Sequence, residues 1–298
     1  MDKKIFYQKG GIVMSKASKI WLIMATSLTA IGMILFIIAM SINDWDFSKL
    51  SAEEYYSTIY YIPEKFENIN VNTKAADVSF MISSEDKVEV LVNEQEKVRH
   101  TVEVKGDTLT ISVDDKRKWY EHIGISFETP EIIIFLPKEY LLSDVKIKTS
   151  TGDICAEAIL VDSMDLTVST GKITISNVEC KGNISTEVFT GKVKVSHVIC
   201  KNIYADGDTG DINLTSVLVE DMLSVKRDTG DVKFSRCDAG EIYMETDTGD
   251  ITGSLLTYME FYIETDTGDV KVPHDGEIEG GRCDLITDTG DIEISIVD

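Results

Sequence analysis

Eight Thr-Gly dipeptides, each followed by Asp or Lys, recur at a nearly constant interval through the second half of this 298-residue chain. The interval between successive threonines is 19 to 22 residues, and the threonines are Thr151, Thr170, Thr190, Thr209, Thr229, Thr248, Thr267 and Thr289. A fixed period of this size is typical of stacked repeat architectures. The repeats therefore predict an all-β fold, a β-solenoid of about 7 to 8 coils over residues 149–298.

Apolar residues alternate with polar ones on both sides of each Thr-Gly pair. The third residue after every threonine is Ile or Val, from Ile154 in the first repeat to Ile292 in the last. A period of two is the strand period, so each repeat reads as a strand, a Thr-Gly corner, a strand and a variable corner. Stacking each coil on the next would bury columns of Ile and Val, and the corner glycines are expected to have positive φ.

Residues 20–42 contain no charged side chain and are long enough to cross a bilayer as a helix. Lysines precede this run, and Asp44 and Asp46 follow it, so the positive-inside rule predicts a cytoplasmic N-terminus and an extracytoplasmic remainder. The alternative is a cleaved signal peptide, but the apolar run exceeds the usual h-region of about 7–15 residues. The sequence therefore predicts a single-pass membrane protein with residues 1–19 in the cytoplasm. Met14 is an alternative start, which would make residues 1–13 a start-site artefact.

Between the helix and the repeats, two further segments are expected. Residues 43–66 are predicted to form a polar-aromatic stem. Residues 67–148 alternate like short strands, with Gly106-Asp107 as a hairpin turn, and are predicted to form an N-terminal β region that caps the first coil.

The order of these segments resembles the bacterial "putative adhesin" β-strand-repeat family, a domain of unknown function with membrane-anchored members. The resemblance covers roughly residues 66–298. It is carried by the motifs Gly-Asp-Thr-Leu-Thr-Ile at 106–111, Ile-Ile-Ile-Phe-Leu-Pro at 132–137 and Thr-Gly-Asp-Ile at 151–154. It implies a β-repeat domain and, through members linked to cell-envelope stress, a place in the envelope. It implies no catalytic residues.

The repeat region is strongly acidic. Residues 149–298 carry 30 Asp and Glu against 11 Lys and Arg, which gives most of the whole chain's formal net charge of −23. Such a surface repels nucleic acid, so we expect no nucleic-acid partner. It is compatible with a basic partner or a cation-dependent contact.

Asp-Thr-Gly-Asp corners are the sharpest candidate site. Stacking would place their carboxylates in two columns, and Ca²⁺ prefers several such oxygens. These residues are Asp208, Asp211, Asp228, Asp231, Asp247, Asp250, Asp266, Asp269, Asp288 and Asp291. The alternative is that each Asp accepts hydrogen bonds from corner amides, as Asp does in many turns. Apart from this possible Ca²⁺ site, no cofactor and no small-molecule substrate are expected.

Two other features have structural and functional interpretations. Cys180 and Cys200 occupy equivalent repeat positions, so they are either a disulfide between coils or two small buried side chains. The basic, aromatic segment containing Arg117, Trp119 and Tyr120 is either a contact loop or a hairpin tip with packed aromatics.

No enzyme motif is present: the four histidines are scattered, and five copies of Asp-Thr-Gly at coil spacing do not match the paired aspartic-protease site. The sequence therefore predicts a non-enzymatic cell-surface binding or adhesion-type module. A partner in the membrane or at the cell surface is expected. The alternatives are a cell-envelope stress accessory or regulatory protein that acts through a membrane partner, and a structural scaffold.

Overall fold

The computed structural model describes residues 15–42, 44–45, 55–85, 87–117 and 129–297. The chain divides into two compact units. One contains the helix α1 (Lys16–Ile42), and the other contains all twenty strands.

Helix α1 is 27 residues long and apolar, with a mean hydropathy of 2.4 over its most apolar window. Its side chains are almost all exposed, including Leu28 at 74 % and Leu35 at 61 %. Within the described residues it is the one helix long and apolar enough to cross a membrane, a property that signal sequences share.

The strands of the β domain share one mixed sheet that winds into a β-solenoid of about 8 turns, as predicted. They are β1 (Tyr55–Ile62), β2 (Asn68–Asn72), β3 (Asp77–Ile82), β4 (Val88–Gln95), β5 (Val98–Lys105), β6 (Thr108–Asp115), β7 (Glu131–Leu136), β8 (Leu141–Thr151), β9 (Ile154–Glu157), β10 (Leu160–Thr170), β11 (Ile173–Cys180), β12 (Asn183–Thr190), β13 (Val193–Thr209), β14 (Ile212–Thr229), β15 (Val232–Thr248), β16 (Ile251–Leu255), β17 (Glu260–Thr267), β18 (Val270–Lys271), β19 (Arg282–Thr289) and β20 (Ile292–Ile296).

Equivalent residues of successive repeats stack in parallel register. The column after the corner glycine pairs Ile173 with Val193, Val193 with Ile212, Ile212 with Val232, and Val232 with Ile251. Every member of this column is 0 % exposed. The alternation read from the sequence is thereby confirmed, because the predicted inward residues form a continuous apolar core.

The corner glycines take the backbone conformation expected of them. Seven of the eight have φ between 126° and 159°, a region that L side chains rarely adopt. A Cβ at Gly210 would in addition collide with the carbonyl oxygen of Gly191 in the neighbouring coil. Glycine is therefore required here both by φ and by close backbone approach.

Each central coil has a further corner that the sequence did not indicate. The seventh residue after the threonine is left-handed in five successive repeats, with φ between 52° and 54°: Ala158, Asn177, His197, Ser216 and Arg236. Strand pairing skips this position, as between Ser196 and Val198. The residue types differ from repeat to repeat, so only the backbone shows the pattern.

Stacking in chain order, as expected from the repeats, fails at both ends of the solenoid. The last coil, β19–β20, lies between β15–β16 and β17–β18, so that Thr248 pairs with Thr289 and Thr289 with Thr267. At the other end β2–β3 lies between β6–β7 and β8–β9. The long connection from β18 to β19 makes the exchange possible, and Gly281 within it lies against the backbone of Gly240.

The N-terminal end of the solenoid is closed by antiparallel strands. β5 pairs with β6 through a two-residue turn at Gly106-Asp107, and β4 pairs with both β7 and β1. The structure thus contains strands in the predicted cap. Residues 55–62, inside the predicted stem, form β1 in the same sheet.

Candidate functional site

The acidic edge of the solenoid, defined here as the column of residues that follow the corner glycines, is a ladder of hydrogen bonds between coils. The Asp231 carboxylate accepts the Asp250 amide at 3.1 Å, and the Asp250 carboxylate accepts the Asp291 amide at 2.8 Å. The Asp291 carboxylate in turn accepts the Asp269 amide at 2.7 Å. Each carboxylate therefore satisfies a corner amide of the next coil, which is the turn-forming role considered above.

Lysines neutralise part of the acidic edge. Lys192 Nζ lies 2.8 Å from Asp211 Oδ2, and this hydrogen bond is the main reason that the pKa of Asp211 is lowered. Lys233 Nζ lies 2.9 Å from Asp231 Oδ2 and lowers the pKa of that carboxyl in the same way.

The other aspartate of each corner points to solvent. These side chains are exposed: Asp208, Asp228, Asp247, Asp266 and Asp288. Across the described residues, no group of three or more His, Cys, Asp or Glu is arranged to hold a metal ion. The calcium site at these corners stays a prediction.

Removing the Asp250 carboxylate tests the ladder. We expect Asp250→Ala to lower the free energy of unfolding by about 1–2 kcal/mol, because the Asp291 amide loses its acceptor. Asp250→Asn keeps an acceptor oxygen and should cost less than Asp250→Ala. Urea unfolding of the full chain in detergent micelles measures both, and equal losses would contradict the hydrogen-bonding role.

The calcium hypothesis can be tested on the same full chain in detergent micelles. Cation at a hundredfold excess over its dissociation constant adds about 2.7 kcal/mol to the free energy of unfolding. The hypothesis predicts a saturable rise in melting temperature in Ca²⁺ over EDTA, lost when Asp247, Asp250, Asp266 and Asp269 become Asn. An unchanged melting temperature in the wild type would refute it.

The residues two positions before each repeat threonine form a column that faces inward, and Arg227 is its unusual member. It is 2 % exposed and stands where the next coil has Thr246 and the coil after that has Thr287, whose hydroxyls bond to glycine carbonyls of adjacent coils. Its guanidinium NH1 donates to the Val188 carbonyl at 2.7 Å through the space left by Gly207. Arg227 thereby bridges a gap in the β12–β13 pairing, and burial lowers its pKa.

A buried polar chain lies in the N-terminal cap. Thr73 Oγ1 is 2.9 Å from His100 Nε2, and His100 Nδ1 is 3.1 Å from a Glu94 carboxylate oxygen. A neutral imidazole with its proton on Nδ1 satisfies both contacts. Burial lowers the pKa of His100 although Glu94 acts in the opposite direction. Sequence reasoning missed this chain; its only signal was that His100 falls in phase with the inward residue Val98.

The cysteines are free thiols. Cys180 and Cys200 lie on adjacent coils, as their equivalent positions predicted, and both are buried. Burial raises the pKa of Cys180, and burial with the neighbouring Cys180 raises that of Cys200 to about 12. Thiols of this kind are weak nucleophiles at neutral pH.

The family follows from the repeat region. The Toastrack model, DUF4097, matches residues 66–222 and 219–298, which is more than half of the chain. The chain belongs to the Toastrack family. The recognised β-strand-repeat family is thus confirmed, with its fold.

Solved structures that resemble this Toastrack chain do so at low identity and with low TM-scores. A "putative adhesin" from Bacteroides fragilis is 14 % identical with a TM-score of 0.39, covering 83 % of this chain and 99 % of its own. One from Parabacteroides distasonis is 12 % identical with a TM-score of 0.36, covering 81 % and 98 %. A "putative cell adhesion protein" from Clostridium sporogenes is 11 % identical with a TM-score of 0.28, covering 82 % and 100 %. The curated proteins give no match.

The predicted contact loop of the Toastrack domain lies largely outside the described residues. That holds for Trp119 and Tyr120. Arg117 is described, and its guanidinium forms a two-pronged pair with Asp115 at 3.0 and 2.9 Å. This pair holds the pKa of Asp115 far below its usual value.

Proposed function

We propose that this Toastrack chain is a non-enzymatic binding module, held at a bacterial membrane by α1 with its β domain on the extracytoplasmic side. The observation that carries the proposal is the exposed apolar surface of α1, in a chain whose β domain has a hydrophobic core of its own. Lysines before α1 and carboxylates after it favour this orientation.

The polar groups inside the β domain support a role in binding rather than catalysis. Thr73, His100 and Glu94 contact one another in the order of a catalytic nucleophile, base and acid. The threonine is only 3 % exposed, so its hydroxyl is not accessible to a substrate. The buried cysteines have raised pKa values, and the corner carboxylates accept backbone amides. These groups support the fold, which leaves the charged outer surface for recognition.

Charged substitutions in α1 test the anchor. We expect wild-type chain to stay with membranes through an alkaline carbonate wash, with α1 uncleaved and the β domain open to protease added outside the cell. Leu28→Arg with Ile31→Arg should release it, because each Arg near the helix centre costs about 2.5–3.5 kcal/mol of insertion.

The matched control exchanges apolar side chains at the same places, Leu28→Ile with Ile31→Leu, and should behave like wild type. A chain that is cleaved after α1 and released would contradict anchoring. A β domain that is protected from external protease would contradict the orientation.

A further inference from the structure

The two ends of the solenoid differ in how they are finished. At the N-terminal end, antiparallel β4 covers β7, and its inward residues Val90 and Val92 are 0 % exposed. At the C-terminal end, β17 pairs only with β19 and β18 only with β20 among the described strands. The C-terminal coil is therefore an open sheet edge.

Exposure of the inward side chains shows that this end is only partly covered, although the ring of Tyr258 meets Phe261 edge-on at 5.8 Å. Val270 in the open coil is 45 % exposed, whereas Ile292, its partner one coil inside, is 0 % exposed. Phe261 is half-buried, and its partner Cys283 is 0 % exposed. An apolar row is left half-covered at this end.

The backbone pattern of the stack also breaks off at this coil. In each inner coil the corner glycine amide donates to a threonine carbonyl of the next, as from Gly249 to Thr289 and from Gly290 to Thr267. In the described part of the chain Gly268 has no further coil to which it could donate. The Asp269 carboxylate is likewise the last of the aspartate ladder. One more strand would continue both ladders.

We infer that this open edge, β17 with β18, binds an extended strand of a protein partner whose outward side chains are Lys or Arg and whose inward side chains are β-branched and apolar. The edge carries outward carboxylates at Glu260, Glu264, Asp266 and Asp269. Opposite charges on facing strands stabilise pairing, and like charges oppose it. A second copy of this chain would bring the same carboxylates, so the charge favours a basic strand.

This mode of recognition adds a strand to an existing sheet. Main-chain hydrogen bonds supply affinity, and alternate side chains supply specificity. The row of Phe261, Ile263 and Val270 would receive the apolar side chains, and the carboxylates would face the basic ones. The inference rests on the proposed binding function, for which it specifies the place and the chemistry of the partner.

The test uses a fluorescent nine-residue peptide of alternating Lys and Val with the full chain in detergent micelles. We expect saturable binding by fluorescence anisotropy, lost when the Lys residues become Glu. A peptide of the same charge, N-methylated on alternate residues, cannot complete the ladder and should not bind. Glu264→Gln with Asp266→Asn should weaken binding at least about tenfold, equivalent to about 1.4 kcal/mol.

The control variant neutralises exposed carboxylates on the flank of the solenoid, Glu187→Gln with Asp206→Asn, and should bind like wild type. Equal binding of the N-methylated peptide, or equal weakening by the flank variant, would overturn the inference in favour of general charge attraction. Self-association blocked by the edge variant would overturn it in favour of a second copy. If the wild-type chain is extracted by carbonate but still binds the peptide, the anchor alone is refuted. If the chain resists carbonate extraction but does not bind the peptide, the edge site alone is refuted.

Discussion

Gly210→Ala is expected to lower the free energy of unfolding of the β domain by at least about 3 kcal/mol. Two costs combine at this corner. Gly210 has φ of 126°, and its added Cβ would collide with the Gly191 carbonyl oxygen, a backbone atom that the stack holds in place. Each coil supports its neighbours, so local damage should divide the stack. We therefore also expect that urea unfolding of the variant, followed by far-ultraviolet circular dichroism, no longer shows one cooperative transition.

Gly106→Ala is the matched control for the conformational cost. Gly106 also has positive φ, at 67°, but a Cβ there meets no atom within 4 Å. Its substitution should cost about 1–2 kcal/mol, the usual cost of a left-handed L-residue. If the two substitutions have equal effects, the carbonyl of the neighbouring coil is not a constraint, and the corner glycines are required by φ alone.

His100→Leu is expected to destabilise the domain by about 3 kcal/mol or more. The substitution leaves the Glu94 carboxylate, whose side chain is 5 % exposed, without its imidazole partner. The neutral imidazole donates a hydrogen bond to this carboxylate, and losing a hydrogen bond to a charged group costs about 1.5–3 kcal/mol. The Thr73 hydroxyl loses its partner as well.

The exposed pair of Lys105 and Glu103 provides the control. Their side chains are 65 % and 41 % exposed, so Lys105→Ala should change stability by less than about 1 kcal/mol. A loss for His100→Leu no larger than that for Lys105→Ala, in urea unfolding at neutral pH, would show that the buried chain contributes nothing.

The pH dependence of stability follows from the same histidine. Its folded pKa is lowered by burial, so the unfolded chain binds this proton more readily. Stability from the neutral imidazole is therefore complete above the unfolded pKa of about 6.5 and is lost as the pH falls towards the folded value. His100→Leu should flatten this part of the stability profile, whereas His197→Gln, at an exposed corner, should keep it.

The repeat pattern predicted the coil because the causes of that structure are local. Alternating Ile and Val specify a strand with one buried face, and glycine at a fixed place specifies the corner. Both were found where the sequence placed them, as in the column from Ile173 to Ile251. The role of the second aspartate of each corner was foreseen only as one of two possibilities.

What could not be predicted depends on contacts between distant segments. The repeats at Thr267 and Thr289 look alike, so their sequences do not reveal which lies outermost. The sole sign of the exchange is the longer interval that contains Gly280 and Gly281. The Thr73, His100 and Glu94 chain joins three segments whose meeting depends on the insertion of β2, which no local pattern records.

The exchanged coil order has a mechanical consequence. A solenoid wound in chain order can be peeled from its end, one ladder at a time. Here the C-terminal strands β19 and β20 are each paired on both sides, so a pull on the C-terminus must break two ladders at once. A pull on the N-terminus would first detach β1. It would then meet β2 and β3, which are also paired on both sides. Tension applied at either terminus is thus borne by interior coils.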